Sequence, residues 1–532
     1  MAGTMTERPL GVQISAMLRD RGVEVIFGIP GVHNQELYRG IEEAGLRHIL
    51  ARHEQGAGFM ADGYARASGR PGVCYVISGP GLTNIMTPMG QAQSDSVPML
   101  VISSCLDPAR LGLGRGRLHE MKDQAGAAAA VCDWSLEAVD AAHAFHLIDR
   151  ALREFTMLRG GVKHVQVPIA ALEGLAPSAP AARTTPPGPA APGTMPDAAL
   201  IRVARRPLFI LGGGAVRATG LTPLFARMGA AVFETMAGRG IVGHDYPLHF
   251  GAMLARSEAE AIIGSADLVI AVGTELAEVD LWRETLGHRV PLIRVDIDPA
   301  VLNGADTGIA VHGDAARFFD ALSGLLDPAH EAATGWDPAQ VRAQRARWQA
   351  ELAVEYPGIL PICAALQAAL PADTMIYSDM TQFAYAALEA WPMARPGHWH
   401  HPYGFGTLGY GLPAAIGGAI ARPGLPTIAI AGDYGFQYTV QELATAVELG
   451  LSLPVILWDN GKLGAIEASM VRAQIAPNAV IQRNPDFVAL AKAYGAAAAA
   501  PRSLGDLKTV VQAALSAGRP TLIHVTPATA QA

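Results

Sequence analysis

Two places in the chain put reactive side chains where packing alone would not ask for them. The first is Glu54, in RHEQGAGFMADGYA at residues 52–65. The residues after it are small and apolar enough to pack as a buried helix, and a carboxylate buried there without a partner is costly. A functional return is expected from Glu54. The second is IAIAGDYGFQYTVQELATAVELGLSLPVILWDNGKLG at 428–464. A strand ends at Gly432-Asp433, a helix comes next, and a second strand ends at Asp459-Asn460. Asp433 and Asn460 are 27 positions apart, one strand–helix–strand unit, so both side chains are expected at neighbouring strand ends, where doubly wound sheets bind ligands. A carboxylate, an amide oxygen and a loop carbonyl form a hard oxygen set that suits Mg²⁺ and leaves positions for phosphate oxygens. Two turn residues capping strands would read the same way.

Two further segments are weaker. HWHH at 398–401 offers imidazoles, but no carboxylate or cysteine is spaced to complete a metal set. Strand alternation would send His400 and His401 to opposite faces, as pocket wall or surface. ILGGGAVRATG at 210–220 has Arg217 where the third glycine of a dinucleotide loop belongs, so a tight turn is expected there.

These residues need elements to position them. Short apolar runs (VIFGI, GVCYVIS, PMLVISS, HVQVPI) alternate with helical patterns up to a Pro/Ala/Gly-rich tether at 175–197. The theme returns with PLFILGGG, ADLVIAVG and PLIRVDIDP, ending near 311–315. A charged, Ala-rich helical connector is expected at 328–356, and TMIYSD, TIAIAGD, PVILWDN and TLIHVT come after it. The expected fold is α/β, with three doubly wound parallel-sheet domains at 8–174, 196–327 and 355–528.

Half of the 532 residues are apolar, which allows large cores, and a net charge of −8 without a basic stripe gives nucleic acid no support. Cys74, Cys105, Cys132 and Cys363 form no metal or CxxC spacing and read as reduced core thiols. No leader pattern and no long apolar span is present, so a cytoplasmic protein without a membrane role is expected.

The Asp433–Asn460 segment, with VQELATAVELGLSLPVI between its ends, resembles the diphosphate-binding motif of thiamine diphosphate enzymes of the acetohydroxyacid synthase and 2-oxo acid decarboxylase type. RHEQGAGFMADGYARASGRPGV, ISGPGLTN and GFGTLGYGLPAAIG resemble the same superfamily, in order along nearly the whole chain. The resemblance implies a pyrimidine-binding, a central and a diphosphate-binding domain. It implies that Glu54 hydrogen-bonds a ring nitrogen of the cofactor's aminopyrimidine. Asp433, Asn460 and the Lys462 carbonyl would hold Mg²⁺, while amides around Gly432 to Gly435 and the Gln382 side chain would address the diphosphate. Gly406 would accept from the cofactor amine, and Leu408 would be the apolar wedge that bends it. Tyr434 stands where the usual third glycine of GDG belongs, which affects the loop geometry. The resemblance further implies a homo-oligomer, at least a dimer, with the cofactor bridging two subunits.

The substrate implied is a 2-oxo acid, with two outcomes open: decarboxylation to an aldehyde, or carboligation of acetolactate synthase type. Ala465 and Ser469 occupy positions where authentic synthases carry a Met and a Trp. GTELAEVDLW replaces an arginine-bearing segment, and RLHEMKDQ puts His119 at a glutamine position. These changes put acceptor recognition and FAD in doubt. The replacements lean acidic, with Glu275, Glu278, Asp280 and Glu467. Together with FGIPGVHN and GRGRLHEMKDQ they resemble the 5-guanidino-2-oxopentanoate (2-ketoarginine) decarboxylases, in which a carboxylate would pair with a guanidinium. His33 and His119 are then candidates for proton delivery. A non-catalytic nucleotide-binding relative is a remote alternative, against which Glu54 and both metal ligands stand.

Overall fold

The computed structural model describes residues 7–182, 191–304, 307–326, 332 and 334–531. Its frame is three six-stranded sheets in which every neighbouring pair is parallel, with helices between the strands. The apolar runs form the interior strands. Val25–Gly28, Gly72–Val76, Met99–Cys105 and Val162–Pro168 are buried along their whole length, as strands covered on both faces must be. The edge strands Arg47–Leu50 and Trp134–Glu137 were not evident in the sequence because they are only partly covered and carry mixed residues.

Counted in chain order within each sheet, the first and third share the order 2-1-3-4-6-5, and the central one has 3-2-1-4-5-6. The two outer units are thus built on one plan, and the central one is a doubly wound nucleotide-type sheet. An antiparallel pairing of Arg8–Pro9 with Leu175–Ala176 ties the start of the first unit to its end. Residues 183–190 of the Pro/Ala-rich tether lie outside the described residues, as do 328–331 and 333 of the connector, whose helix is Pro338–Glu355.

The first and third units share a core. The helix that starts at Glu54 (Glu54–Ser68) lies against Gly411–Ala421 so closely that a Cβ on Gly63 would stand 1.9 Å from the Ala414 carbonyl oxygen. A buried polar network crosses the same contact. Arg66 Nε donates to Asp62 Oδ1 at 2.7 Å, Tyr410 Oη donates to the same oxygen at 2.7 Å, and Arg66 Nη2 reaches Asp95 Oδ2 at 2.7 Å. Gly63→Ala is therefore expected to destabilise by about 1–3 kcal/mol through forced helix separation, read as a lower unfolding midpoint. An unchanged midpoint would contradict the close approach.

The weaker motifs take structural roles. Gly213–Ala215 is a short 3₁₀ turn, with Gly214 N–H bonded to the Gly273 carbonyl at 2.9 Å. His400 and His401, expected as pocket wall or surface, are both buried: the His400 ring lies 5.0 Å from that of Tyr377, and the His401 ring lies 6.2 and 5.2 Å from those of Tyr385 and Tyr403. His401 Nδ1 pairs with Ser378 Oγ at 3.0 Å, and burial pushes its pKa down to about 3. All four cysteines are free; Cys74, Cys105 and Cys363 are buried and Cys132 is partly so. Among the described residues no single helix is long and apolar enough to cross a membrane.

Candidate active site

The first half of the site is organised by one turn. Strand Gly72–Val76 leads through Ser78 and Gly79 into helix Pro80–Ser94. Ser78 Oγ lies 2.7 Å from His33 Nδ1. Gly79 has φ +66°, and a Cβ there would be 2.8 Å from the His119 carbonyl oxygen. The His33 and His119 rings stand edge to face with centroids 5.0 Å apart. One turn further on, Asn84 Nδ2 donates to Glu54 Oε2 at 2.9 Å, while a Cβ on Gly81 would lie 3.5 Å from Glu54 Oε1. Ser78, Gly79, Gly81 and Asn84 thus gather His33, His119 and Glu54, which are far apart in sequence.

Glu54 is buried at the first position of its helix. His53 caps that helix, its Nδ1 accepting from Gln55 N–H at 3.1 Å. Burial, reinforced by His119, lowers the His33 pKa, which favours a neutral imidazole. His119 itself sits at φ +61°, a conformation few non-glycine residues adopt, and its Nδ1 is buried without a hydrogen-bond partner. Gln124 holds the turn from behind, accepting from Gly79 N–H at 3.1 Å and donating to the Ser104 carbonyl at 2.8 Å.

The second half lies at the carboxyl ends of Thr427–Gly432 and Pro454–Trp458, adjacent strands with Gly432 opposite Trp458. Strand turns directly into helix at Asp433, so GDYG is the first turn of Asp433–Tyr438 rather than an open loop. Tyr434 therefore fits without strain, its N–H donating to Asp433 Oδ1 at 3.0 Å. Asp433 Oδ2 accepts from Gly461 N–H at 2.9 Å and Asn484 Nδ2 at 2.8 Å. Asn460 Nδ2 donates to Gln382 Oε1 at 3.0 Å, and Lys462 N–H reaches Asn460 Oδ1 at 3.3 Å. A Cβ on Gly464 would meet Gln382 Oε1 at 2.3 Å. Burial and the Asp459 carboxylate raise the Asp433 pKa, whereas a 2.9 Å bond to His524 lowers that of Asp459. A carboxylate disfavoured in this way, beside an amide oxygen and a loop carbonyl, fits a hard divalent cation.

Gly406 has φ +65°, and Leu408 beside it is partly buried. Their loop is held by Asp379, which accepts from Gly409 N–H at 2.9 Å and which burial pushes up to about 7. On the other side Thr407 Oγ1 donates to Gln91 Oε1 at 2.9 Å.

Five residues that hold the site went unassigned in the sequence. Asp379 comes after its strand as Asp433 comes after its own, a signal that was available. Glu442 is the buried acid of the helix Glu442–Glu448, whose other acid, Glu448, is exposed. Asn84 and Gln124 end the segments ISGPGLTN and RLHEMKDQ that were compared with the family, without a role being read for them, and Asn484 gave no local sign. Of the four acids singled out as substrate contacts, Glu275 is ion-paired with Arg159, Glu467 pairs with Lys462 at 2.5 Å, and Glu278 is exposed. Asp280 alone has a different setting. It accepts from Met236 N–H at 3.3 Å, and burial with the nearby Glu275 and Asp95 charges pushes it up to about 6.

Glu442 reaches across to the helix bearing Glu54, accepting from the N–H of Arg52 and of His53 at 3.0 Å each and from Thr445 Oγ1 at 2.8 Å. Burial raises its pKa from 4.5 to about 7. The folded protein therefore binds this proton more tightly than the unfolded chain, and the resulting stabilisation, complete at low pH, is lost as pH rises toward 7. Glu442→Gln keeps an oxygen for both amides and an NH₂ for the Thr445 hydroxyl. Its urea midpoint relative to the unmodified protein should improve between about pH 5 and about pH 8; a pH-independent difference would contradict the assignment.

Comparison with protein families settles what the halves belong to. Residues 9–127 match the N-terminal binding domain of thiamine pyrophosphate enzymes, 197–322 the central domain and 379–525 the C-terminal binding domain. The chain belongs to the thiamine pyrophosphate enzymes. Thiamine pyrophosphate, the same compound as thiamine diphosphate, is therefore its cofactor. Each match falls on one of the three parallel sheets, and the two binding domains are the two units with the same strand order. The chain is 44% identical over 98% of its length to the probable 2-ketoarginine decarboxylase AruI of Pseudomonas aeruginosa, covering 94% of that protein. It is 29% identical to the acetolactate synthase isozyme 1 large subunit of Escherichia coli, over 96% of this chain and 92% of that one. It is 31% identical to the acetolactate synthase large subunit IlvB1 of Mycobacterium tuberculosis, over 90% and 81%.

Proposed function

We propose that the protein decarboxylates 5-guanidino-2-oxopentanoate to 4-guanidinobutanal and CO₂, with thiamine diphosphate and Mg²⁺. The observation that carries this reading is the end-to-end 44% identity to a probable 2-ketoarginine decarboxylase, against about 30% to acetolactate synthases. The cofactor supplies a nucleophilic thiazolium carbon and an electron sink for the departing carboxylate. Glu54, with Asn84 fixing one oxygen, would hold and return a proton at the aminopyrimidine ring. Asp433, Asn460 and the Lys462 carbonyl would hold the metal, and Gln382 and the first amides of Asp433–Tyr438 would face the diphosphate. The Gly406 carbonyl would accept from the cofactor amine, and Leu408 would supply the apolar contact against it. His33 and His119 supply the proton that the aldehyde gains where CO₂ was lost.

The working unit is at least a homodimer. Among the described residues no hydrogen bond or ion pair joins Glu54, His33 or His119 to Asp433, Asn460, Lys462 or Gln382. Within one chain Asn84, which holds Glu54, and Gln91, which holds Thr407, stand two helical turns apart, about 10 Å. A second copy supplies the complementary half.

Asp280 is our candidate for the guanidinium contact, because among the described residues it has no ion-pair partner and, unlike Glu278, is not exposed. Its neighbour Met236 also accepts from Tyr403 Oη at 3.2 Å, next to the loop of Gly406. Asp280→Asn should raise KM for the guanidino substrate about tenfold or more, since a charge-assisted pair is lost, with little change for an uncharged 2-oxo acid. Equal effects on both substrates would remove Asp280 from recognition. The function itself is tested by product identification, with 2-ketoarginine and pyruvate supplied in parallel. 4-Guanidinobutanal and CO₂ from the first alone support the proposal; acetolactate from pyruvate would assign the chain to carboligation.

A further inference from the structure

His119 reaches the site on a loop that has little of its own to hold it. Between the strand Met99–Cys105 and the helix Gln124–Ala129, Gly112, Gly114 and Gly116 stand at φ +67°, +63° and +65°, and His119 follows at +61°. Glycine loses more backbone freedom on folding than any other residue, so a stretch with three of them must be fixed by contacts. The first unit fixes the two ends. Asp107 accepts from Ala170 N–H at 3.0 Å before the loop, and Asp123 caps the helix after it, accepting from Gly126 N–H at 2.8 Å. A Cβ on Gly112 would stand 2.8 Å from the Lys122 carbonyl oxygen, so the chain comes back on itself there.

The interior of the loop closes on one side chain. Glu120 Oε1 accepts from Gly114 N–H at 2.7 Å and Oε2 from Arg117 N–H at 3.0 Å. The amides of Arg115 and Gly116 face the same carboxylate, and the set, Arg117 first, holds its pKa below the usual range. A nest of successive amides commonly takes a bound anion; here a side chain of the loop fills it. The Glu120 N–H also returns to the Arg117 carbonyl at 3.0 Å. Arg117 is thus tied to Glu120 through both its N–H and its carbonyl, and the two residues between them diverge. Leu118 turns outward, 61% exposed, and the His119 ring turns in, edge to face with His33. Among the described residues Glu120 makes no hydrogen bond or ion pair to Glu54, His33 or the metal half, so any effect it has on the reaction passes through the loop.

We infer that Glu120 is a positioning residue for His119: by gathering the Gly114–Arg117 amides on its carboxylate it keeps the His119 ring against His33 and Gly79. The inference rests on the reading of His119 as a proton donor and names the group that makes a glycine-rich segment present that donor in one place.

The test is a double-mutant cycle read in kcat, with 2-ketoarginine as substrate, or pyruvate should that be the acid consumed. Glu120→Ala should lower kcat about tenfold or more and change KM less than about twofold, because proton delivery depends on placement within about an ångström. Glu120→Gln keeps one accepting oxygen and should recover part of the loss. In a His119→Ala background Glu120→Ala should change kcat less than about twofold, since a group that acts through His119 has nothing left to act on. No residue from 107 to 122 belongs to a hydrophobic core, so both variants should fold, with unchanged thermal midpoints. An unchanged kcat in Glu120→Ala overturns the inference. A loss in His119→Ala followed by an equal further loss from Glu120→Ala also overturns it, and leaves His119 as the donor. If His119→Ala alone keeps full kcat, the donor reading falls and takes the inference with it.

Discussion

Replacing Glu54 by Gln is expected to lower kcat by about 10²–10⁴-fold while leaving Mg²⁺-dependent cofactor binding intact, the range a positioned proton-transfer group supplies. The amide is isosteric with the carboxylate and can still accept from Asn84, whose Nδ2 now stands 2.9 Å from Glu54 Oε2. His53 would continue to cap the helix through Gln55 N–H, so the substitution removes the ability to hold and return a proton without removing the scaffold. Cofactor titration and steady-state turnover on the same preparation separate the two effects. Full activity in the variant would refute the role; loss of cofactor binding with loss of turnover would show that Glu54 mainly shapes the site.

The second large effect concerns Asp433. Asp433→Ala removes the one carboxylate of the proposed metal set, while Gly461 N–H and Asn484 Nδ2 keep Asp459 Oδ1 as a shared acceptor at 3.0 and 2.8 Å. Cofactor affinity in the presence of Mg²⁺ should fall roughly 100-fold, about 2.7 kcal/mol, and rise again in part at high cofactor concentration. Circular dichroism of the variant distinguishes loss of the metal from loss of the fold. The affinity of the unmodified protein should be sensitive to chelators and that of the variant much less so. Equal sensitivity would mean that the metal is held elsewhere.

These two residues are visible in the sequence because each is locally anomalous. Glu54 opens a small, apolar stretch, and Asp433 and Asn460 end consecutive apolar runs. The interior strands were legible for a related reason: a parallel strand covered on both faces reads as an unbroken apolar run, as Met99–Cys105 does. The edge strands were not. Ala497–Ala499 and Trp399–His400 are short, and their pairing depends on neighbours rather than on their own residues. The burial of His400 and His401 was not legible for the same reason, since what covers them is decided by residues distant in sequence such as Tyr377 and Tyr385.

The sequence by itself determined the family, the three-sheet plan and the reactive groups, because each of these is written in consecutive residues whose periodicity and exceptions are local. Only the tertiary structure decided what holds those groups in place. Glu442 reaches the amide of Arg52 across 390 positions, Thr407 reaches Gln91 across 316, and Asn484 reaches Asp433 across 51. Such partners are chosen by the packing of helix on helix, where Gly63 and Gly417 let two backbones meet. A hydrogen bond depends on distances of a few tenths of an ångström, and distances of that kind exist only after the sheets have come together.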